Sequence, residues 1–207
     1  MNPWKDLPNT ADFIDKLSNE ARLDNITSGN IYTNKYRLEN LKKYLNYYQI
    51  NKPDYMLVGE APGYKGCAIS GIPFTSTYVI VNSAFFKNFD MNTVGNKLQK
   101  EATSTIIWNY FEATSKFPLL WNIYPFHPHK TSNVNSNRTP SHAEILIGKE
   151  YMIDLLNIFP GVKVIAIGNM AYNAICEENI PVVAYARHPS FGGKNEFLEQ
   201  MNRYLKK

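Results

Sequence analysis

Apolar positions along the chain fall into stripes and short continuous runs. Phe13, Ile14, Leu17 and Ala21 recur at helical spacing, as do Leu38, Leu41, Leu45 and Tyr48, so the pattern predicts two helices within the first 50 residues. Pro8, Asn9 and Thr10 supply start signals for the first, and Asn51-Lys52-Pro53 stops the second. Tyr55-Met56-Leu57-Val58 is apolar without alternation, the pattern of a short strand buried on both faces. Pro118 to Tyr124, Val162 to Ile167 and Pro181 to Tyr185 give three more strands. Between them the spacing predicts helices from about Lys97 to Thr114, from Ser141 to Phe159 and from about Met170 to Glu178. Ser141 and Glu144 form a capping box for the second of these, whose apolar face is Ile145, Gly148, Met152, Leu155, Leu156 and Phe159. A last amphipathic helix uses Phe197, Met201, Tyr204 and Leu205. Segments 66–76 and 125–140 are rich in Gly, Pro and polar residues and read as loops.

Strands alternating with helices predict an α/β protein with a parallel sheet and helices on both faces. The carboxyl ends of parallel strands share one edge, so Gly59 to Gly63, Asn122 to Lys130 and Arg187 to Gly193 are expected to gather there. Ligands bind at such an edge in open α/β sheets. The stretch Val58-Gly59-Glu60-Ala61-Pro62-Gly63 is the centre of this arrangement: an apolar run stops and permissive backbone surrounds a single carboxylate.

Composition adds limits. The 207 residues, 44% hydrophobic, suit one domain, with the N-terminal helices up to about residue 50 packed on it. No apolar run approaches a membrane span, and Met1 to Asp6 lacks a secretory core, so a cytoplasmic protein is expected. Two cysteines, Cys67 and Cys176, support neither a disulfide framework nor a paired metal site. His127-Pro128-His129 lacks a third ligand, so no metal is expected, and these residues with Lys130 read as a positive loop near nucleic acid. The net charge of +4 is mild. Its distribution is more telling, because three long windows carry Glu60 as their single acid against Lys65, Lys87, Lys116, Lys130, Arg138, Arg187 and Lys194. If these windows converge, the face suits a polyanion.

Gly59-Glu60-Ala61-Pro62-Gly63, Gly71-Ile72-Pro73-Phe74, Asn122 at the end of an apolar strand and His188-Pro189-Ser190 together resemble, in order, the motifs of the uracil-DNA glycosylase superfamily. The resemblance spans Tyr55 to about Gly193. It implies a three-layer αβα sandwich around a four-stranded parallel sheet, and hydrolysis of the N-glycosidic bond of an extruded deoxyuridine to leave an abasic site. The partner is then DNA, with no cofactor, no membrane and a monomeric enzyme expected. Carried over by position, Phe74 stacks on the base, Asn122 pairs with its edge, and His188 donates to its O2 as charge develops there. Gly59, Ala61, Pro62 and Gly63 hold the attacking water. Ser190 with the amides of Gly192 and Gly193 holds phosphate, joined on the DNA side by Arg187 and Lys130.

The departures bear on substrate. The motif Gly-Glu-Ala-Pro-Gly resembles a thermophile-type branch whose members carry an iron-sulfur cluster on four cysteines, and two cysteines cannot build one. In the best-known branch the third motif position is a water-activating Asp and the fifth an aromatic that excludes a 5-methyl group. Here they are Ala61 and Gly63. Glu60 is the nearby acid left to orient water or to stabilise cationic sugar, with bonding to loop amides as the alternative. Phe191 is either a wedge for the gap left by a flipped base or a cap on the last helix. Two functional classes follow: a glycosylase for uracil or a modified pyrimidine, including bulky 5-modified bases of foreign DNA, or a catalytically silent relative that binds nucleic acid or nucleotide.

Overall fold

The computed structural model of the protein describes residues 10–93 and 98–205. Helix α1 (Thr10–Ser18) and a two-residue strand β1 (Ser28–Gly29) precede helix α2 (Lys35–Ile50). Strand β2 (Tyr55–Gly59) is followed by the short helices α3 (Cys67–Ser70) and α4 (Thr77–Asn82), then by α5 (Ala102–Thr114). Strand β3 (Leu119–Asn122), the two-residue β4 (His127–Pro128) and helix α6 (His142–Ile158) come next. The chain ends with β5 (Lys163–Ile167), α7 (Asn169–Glu177), β6 (Ala184–Ala186) and α8 (Lys194–Leu205).

Four strands form a parallel sheet in the order β3-β2-β5-β6. Met56, Leu57, Val58 and the whole of β3 are buried without alternation. Successive side chains point to opposite faces of a strand, so an unbroken buried run means that both faces are covered. β2 lies between β3 and β5; the chain leaves it toward β3 and leaves β5 toward β6. The crevice between the ends of β2 and β5 is therefore the topological switch point, where open sheets receive ligands.

Local chemistry sets the helix starts. Asn34 accepts from the amides of Tyr36 and Arg37, and Glu101 accepts from those of Thr103 and Ser104. The capping box of Ser141 and Glu144 forms as the sequence predicts. Helix α6 packs tightly on the segment after β3, because a Cβ at Gly148 would collide with the Ile123 carbonyl oxygen and lie 2.9 Å from the Tyr124 Cα.

Several boundaries differ from the expectation. The first helix stops at Ser18 and leaves Ala21 exposed, while Pro8, Asn9 and Lys97 lie outside the described residues. The third helix begins at Ala102, with Glu101 as its cap. Segment 66–76 is not irregular throughout: it holds α3, and Ser76 caps α4. Segment 125–140 contains β4, paired antiparallel with β1, a contact between elements too short for periodicity to show. The last strand is Ala184–Ala186 rather than Pro181 to Tyr185.

The Gly148 contact gives a direct test of the α6 packing. Gly148→Ala should destabilise the protein by about 1–3 kcal/mol or more, since the colliding atoms are backbone and cannot rotate away. Gly29→Ala, which meets nothing within 4 Å, is the control. Urea unfolding midpoints check this; equal midpoints for the two variants would show that α6 does not sit where described.

Candidate active site

A cavity of about 790 Å³ opens at the switch point, within the range of cavities that hold drug-sized ligands. Its walls include the turn from Glu60 to Cys67, Phe74, Asn122, the Ile167–Ala171 segment, and Arg187, His188, Ser190 and Phe191. Residues from each of the three expected segments therefore converge, joined by Phe74.

Gly59 makes the convergence sterically feasible. A Cβ there would run into the end of the Phe74 ring and lie 2.9 Å from the Asn122 Oδ1, so only glycine lets both side chains occupy the end of β2. Gly59 and Asn122 are register partners across β2 and β3. Phe74 reaches this place with φ of +54°, a left-handed conformation that costs a residue with a Cβ. Its ring centroid lies 6.5 Å from that of His188, so a flat aromatic face and an imidazole border the same space. Across the crevice, Gly168 has φ of +86°, and its Cβ would come within 3.1 Å of the His188 Cβ.

The His188 tautomer is set by its neighbours. The Ser190 amide donates to Nδ1 at 3.3 Å, and the Ser190 hydroxyl lies 2.7 Å from the same atom. An N–H can only donate, so Nδ1 carries the lone pair and Nε2 the proton. Burial lowers the His188 pKa, an effect opposed by the charge of Glu101 and reinforced by Arg187. The ring is thus a neutral hydrogen-bond donor at Nε2.

Glu60 has one carboxylate oxygen, Oε1, buried without a hydrogen-bond partner. Its pKa is raised by desolvation, partly offset by the Thr139 hydroxyl. Among the described residues Oε1 is an unsatisfied buried acceptor on a residue that lines the cavity, so this carboxylate keeps unused hydrogen-bonding capacity. Loop-amide bonding, the alternative for Glu60, does not account for this oxygen. Cys67 also lines the cavity, but burial pushes its thiol up to about 12, which leaves it un-ionised.

Other expectations need correction. Glu60 is not alone in the cleft, for Glu101 lines it too, and Lys100 joins Lys65 and Arg187 on the basic side. Glu101 is recognisable as the N-cap of α5 only once the true start of that helix is known. Arg138 borders the cleft yet offers no free charge: its five N–H donors go to Glu144, His129, Thr139 and Thr27. Lys87, Lys116, Lys130 and Lys194 are not among the lining residues, and Lys130 is exposed. His127 and His129 are buried rather than presented as a positive loop. The Gly193 amide is spent on the Ser190 carbonyl at 3.0 Å, and a Cβ at Gly193 would strike the His188 carbonyl; this glycine serves close packing rather than an open anion cradle. Phe191 is 98% exposed at φ of +49°, which rules out a cap buried on α8 and holds the ring out in solvent.

A family model described as the uracil DNA glycosylase superfamily matches residues 45–206. The chain belongs to this superfamily. The fold of this glycosylase-superfamily protein also matches solved structures, among them the crystal structure of wild-type Pedobacter heparinus SMUG2. That match has a TM-score of 0.62 at 16% identity and covers 91% of this chain and 93% of the other. No curated protein matches the sequence. Among the described residues there is no group of three or more potential metal-ligating side chains, and no helix is long and apolar enough to cross a membrane.

The environment of Glu60 predicts a pH-dependent stability. A carboxyl whose folded pKa is raised contributes fully below its unfolded value, and that contribution is lost as pH rises through the folded value. Glu60→Gln should therefore melt at a higher temperature than the parent at neutral pH. The difference should vanish below about pH 4, where both side chains are neutral. Melting curves across this range check it, and a pH-independent difference would contradict the desolvated carboxyl.

Proposed function

We propose that this superfamily member is a monofunctional DNA glycosylase that hydrolyses the N-glycosidic bond of uracil or a related modified pyrimidine in DNA. The observation that carries the reading is the meeting of Phe74, Asn122 and the neutral His188 around one cavity, made feasible by Gly59. An extruded base would lie against the Phe74 ring, and the Asn122 amide would read its edge with both donor and acceptor. As the bond from C1′ to N1 breaks, the electron pair moves onto the base and charge grows at O2. His188 Nε2–H would stabilise that charge without giving up its proton. Water attacks C1′, and Glu60 would take its proton, doing so from the motif position before Ala61. On the DNA side, Phe191 would fill the gap left by the flipped nucleotide, with Arg187 beside it, Lys130 farther out and Ser190 and Gly192 close to phosphate.

A larger substrate is favoured by one further observation. A Cβ at Gly63 would meet only the Asn137 Nδ2, at 3.8 Å, so the cavity is open where the motif's fifth side chain would stand. This room supports pyrimidines with bulky 5-substituents, as in modified foreign DNA. We further propose a single domain acting as a monomer on DNA in the cytoplasm, without a cofactor.

The test is incubation with uracil-containing and 5-modified DNA followed by alkaline cleavage of abasic sites. Strand scission by the parent is expected, with losses of about a hundredfold or more in Asn122→Ala and His188→Ala. Glu60 accepts a proton only when ionised, so the rate should fall as pH drops through its pKa, which desolvation raises. Glu60→Gln should lack that acid limb. No scission on any substrate, alongside measurable DNA affinity, would instead identify a silent nucleic-acid binder.

A further inference from the structure

Behind the Glu60 turn lies a buried histidine that the proposed chemistry does not use. His127, 6% exposed, sits on β4 with its Nδ1 2.8 Å from the Pro62 carbonyl oxygen and its Nε2 3.0 Å from the Val134 carbonyl oxygen. Carbonyl oxygens accept and never donate, so each contact is a hydrogen bond only where the ring supplies the proton. A neutral imidazole supplies one such proton, and the Pro62 contact is the shorter of the two.

The same loop grips the turn at neighbouring points. The Tyr64 amide donates to the Asn137 Oδ1 at 3.0 Å, and the Thr139 hydroxyl acts on Glu60. Residues 60, 62 and 64 are thus each met by the 127–139 loop. That loop is itself fixed, because Arg138 spans Glu144 on α6, the Thr27 carbonyl beside β1, and the His129 carbonyl. Pro62 has no amide hydrogen, so its carbonyl is its one backbone handle, and His127 holds it.

We propose that His127 is a positioning residue for the floor of the cleft. With one ring nitrogen on the Pro62 carbonyl and the other facing the Val134 carbonyl, it ties the turn to the anchored loop and so fixes where the neighbouring Glu60 carboxylate stands. The kinetic consequence rests on the glycosylase reading above; the structural one does not. A small displacement of a group that activates water costs rate rather than affinity.

The experiment pairs His127→Phe, which keeps an apolar ring but no donors, with His127→Asn, which keeps one donor. With the parent active on pyrimidine-modified DNA, His127→Phe should lower kcat about a hundredfold with DNA affinity unchanged, and His127→Asn should recover some of the loss. Independently of any activity, nitrogen-15 spectra of the parent should show a proton on the His127 Nδ1 that faces the Pro62 carbonyl. The Tyr64 amide should exchange with solvent faster in His127→Phe. A parent inactive on every substrate would sink the glycosylase reading while the spectra and exchange still decide the role of His127. Parental kcat in His127→Phe, or an Nδ1 without a proton together with unchanged Tyr64 exchange, would overturn the proposal.

Discussion

The constraint on which the site depends is the absence of a side chain at Gly59. β2 ends where a phenyl ring from the following loop and an amide from the adjacent strand must both come within contact of its backbone, and any Cβ would occupy that space. The sheet delivers Asn122 by register, since β2 and β3 are parallel and Gly59 faces Asn122. Phe74 arrives by a different route, through a left-handed backbone that the packing around Ile72 and Thr75 has to enforce. Strain of this kind costs on the order of 1–3 kcal/mol and persists where surrounding structure over-determines it. The second phenylalanine of the site, Phe191, shows the same backbone signature for the opposite purpose, since its ring points outward.

Around this centre, polar groups are spent on holding shape more than on display. Arg138 commits its whole guanidinium to internal acceptors, Glu101 caps α5, and Ser190 orients His188. Two groups stand out by contrast: Glu60, with a buried oxygen left unpaired, and His188, whose remaining donor is Nε2. Under the glycosylase reading proposed above, these are the two groups that acid–base and electrostatic catalysis would use.

The sheet, its four strands and the meeting of Gly59, Phe74, Asn122 and His188 at one edge are legible in the sequence, because continuous apolar runs and ordered motifs are local signals. Charge windows mislead for a physical reason: counting basic residues says nothing about which ones have acceptors nearby, and Arg138 has them all. His127 misleads in the same way, since a histidine beside prolines looks like an exposed loop until β1 and the Glu60 turn close over it. The phosphate role expected of the Gly193 amide is pre-empted by a tight turn that consumes that donor. Non-local satisfaction of polar atoms is what a single sequence hides. Segment Asn137-Arg138-Thr139-Pro140, set directly before the capping box, is the one visible hint that this loop is built rather than slack.

Replacing the missing side chain measures the central constraint most directly. Gly59→Ala should retain the circular dichroism spectrum of the parent yet lose base excision from modified DNA by about a hundredfold or more, because the Phe74 ring and the Asn122 amide can no longer share the end of β2. Excision at the parental rate by a correctly folded Gly59→Ala would contradict the proposal that this close approach builds the site.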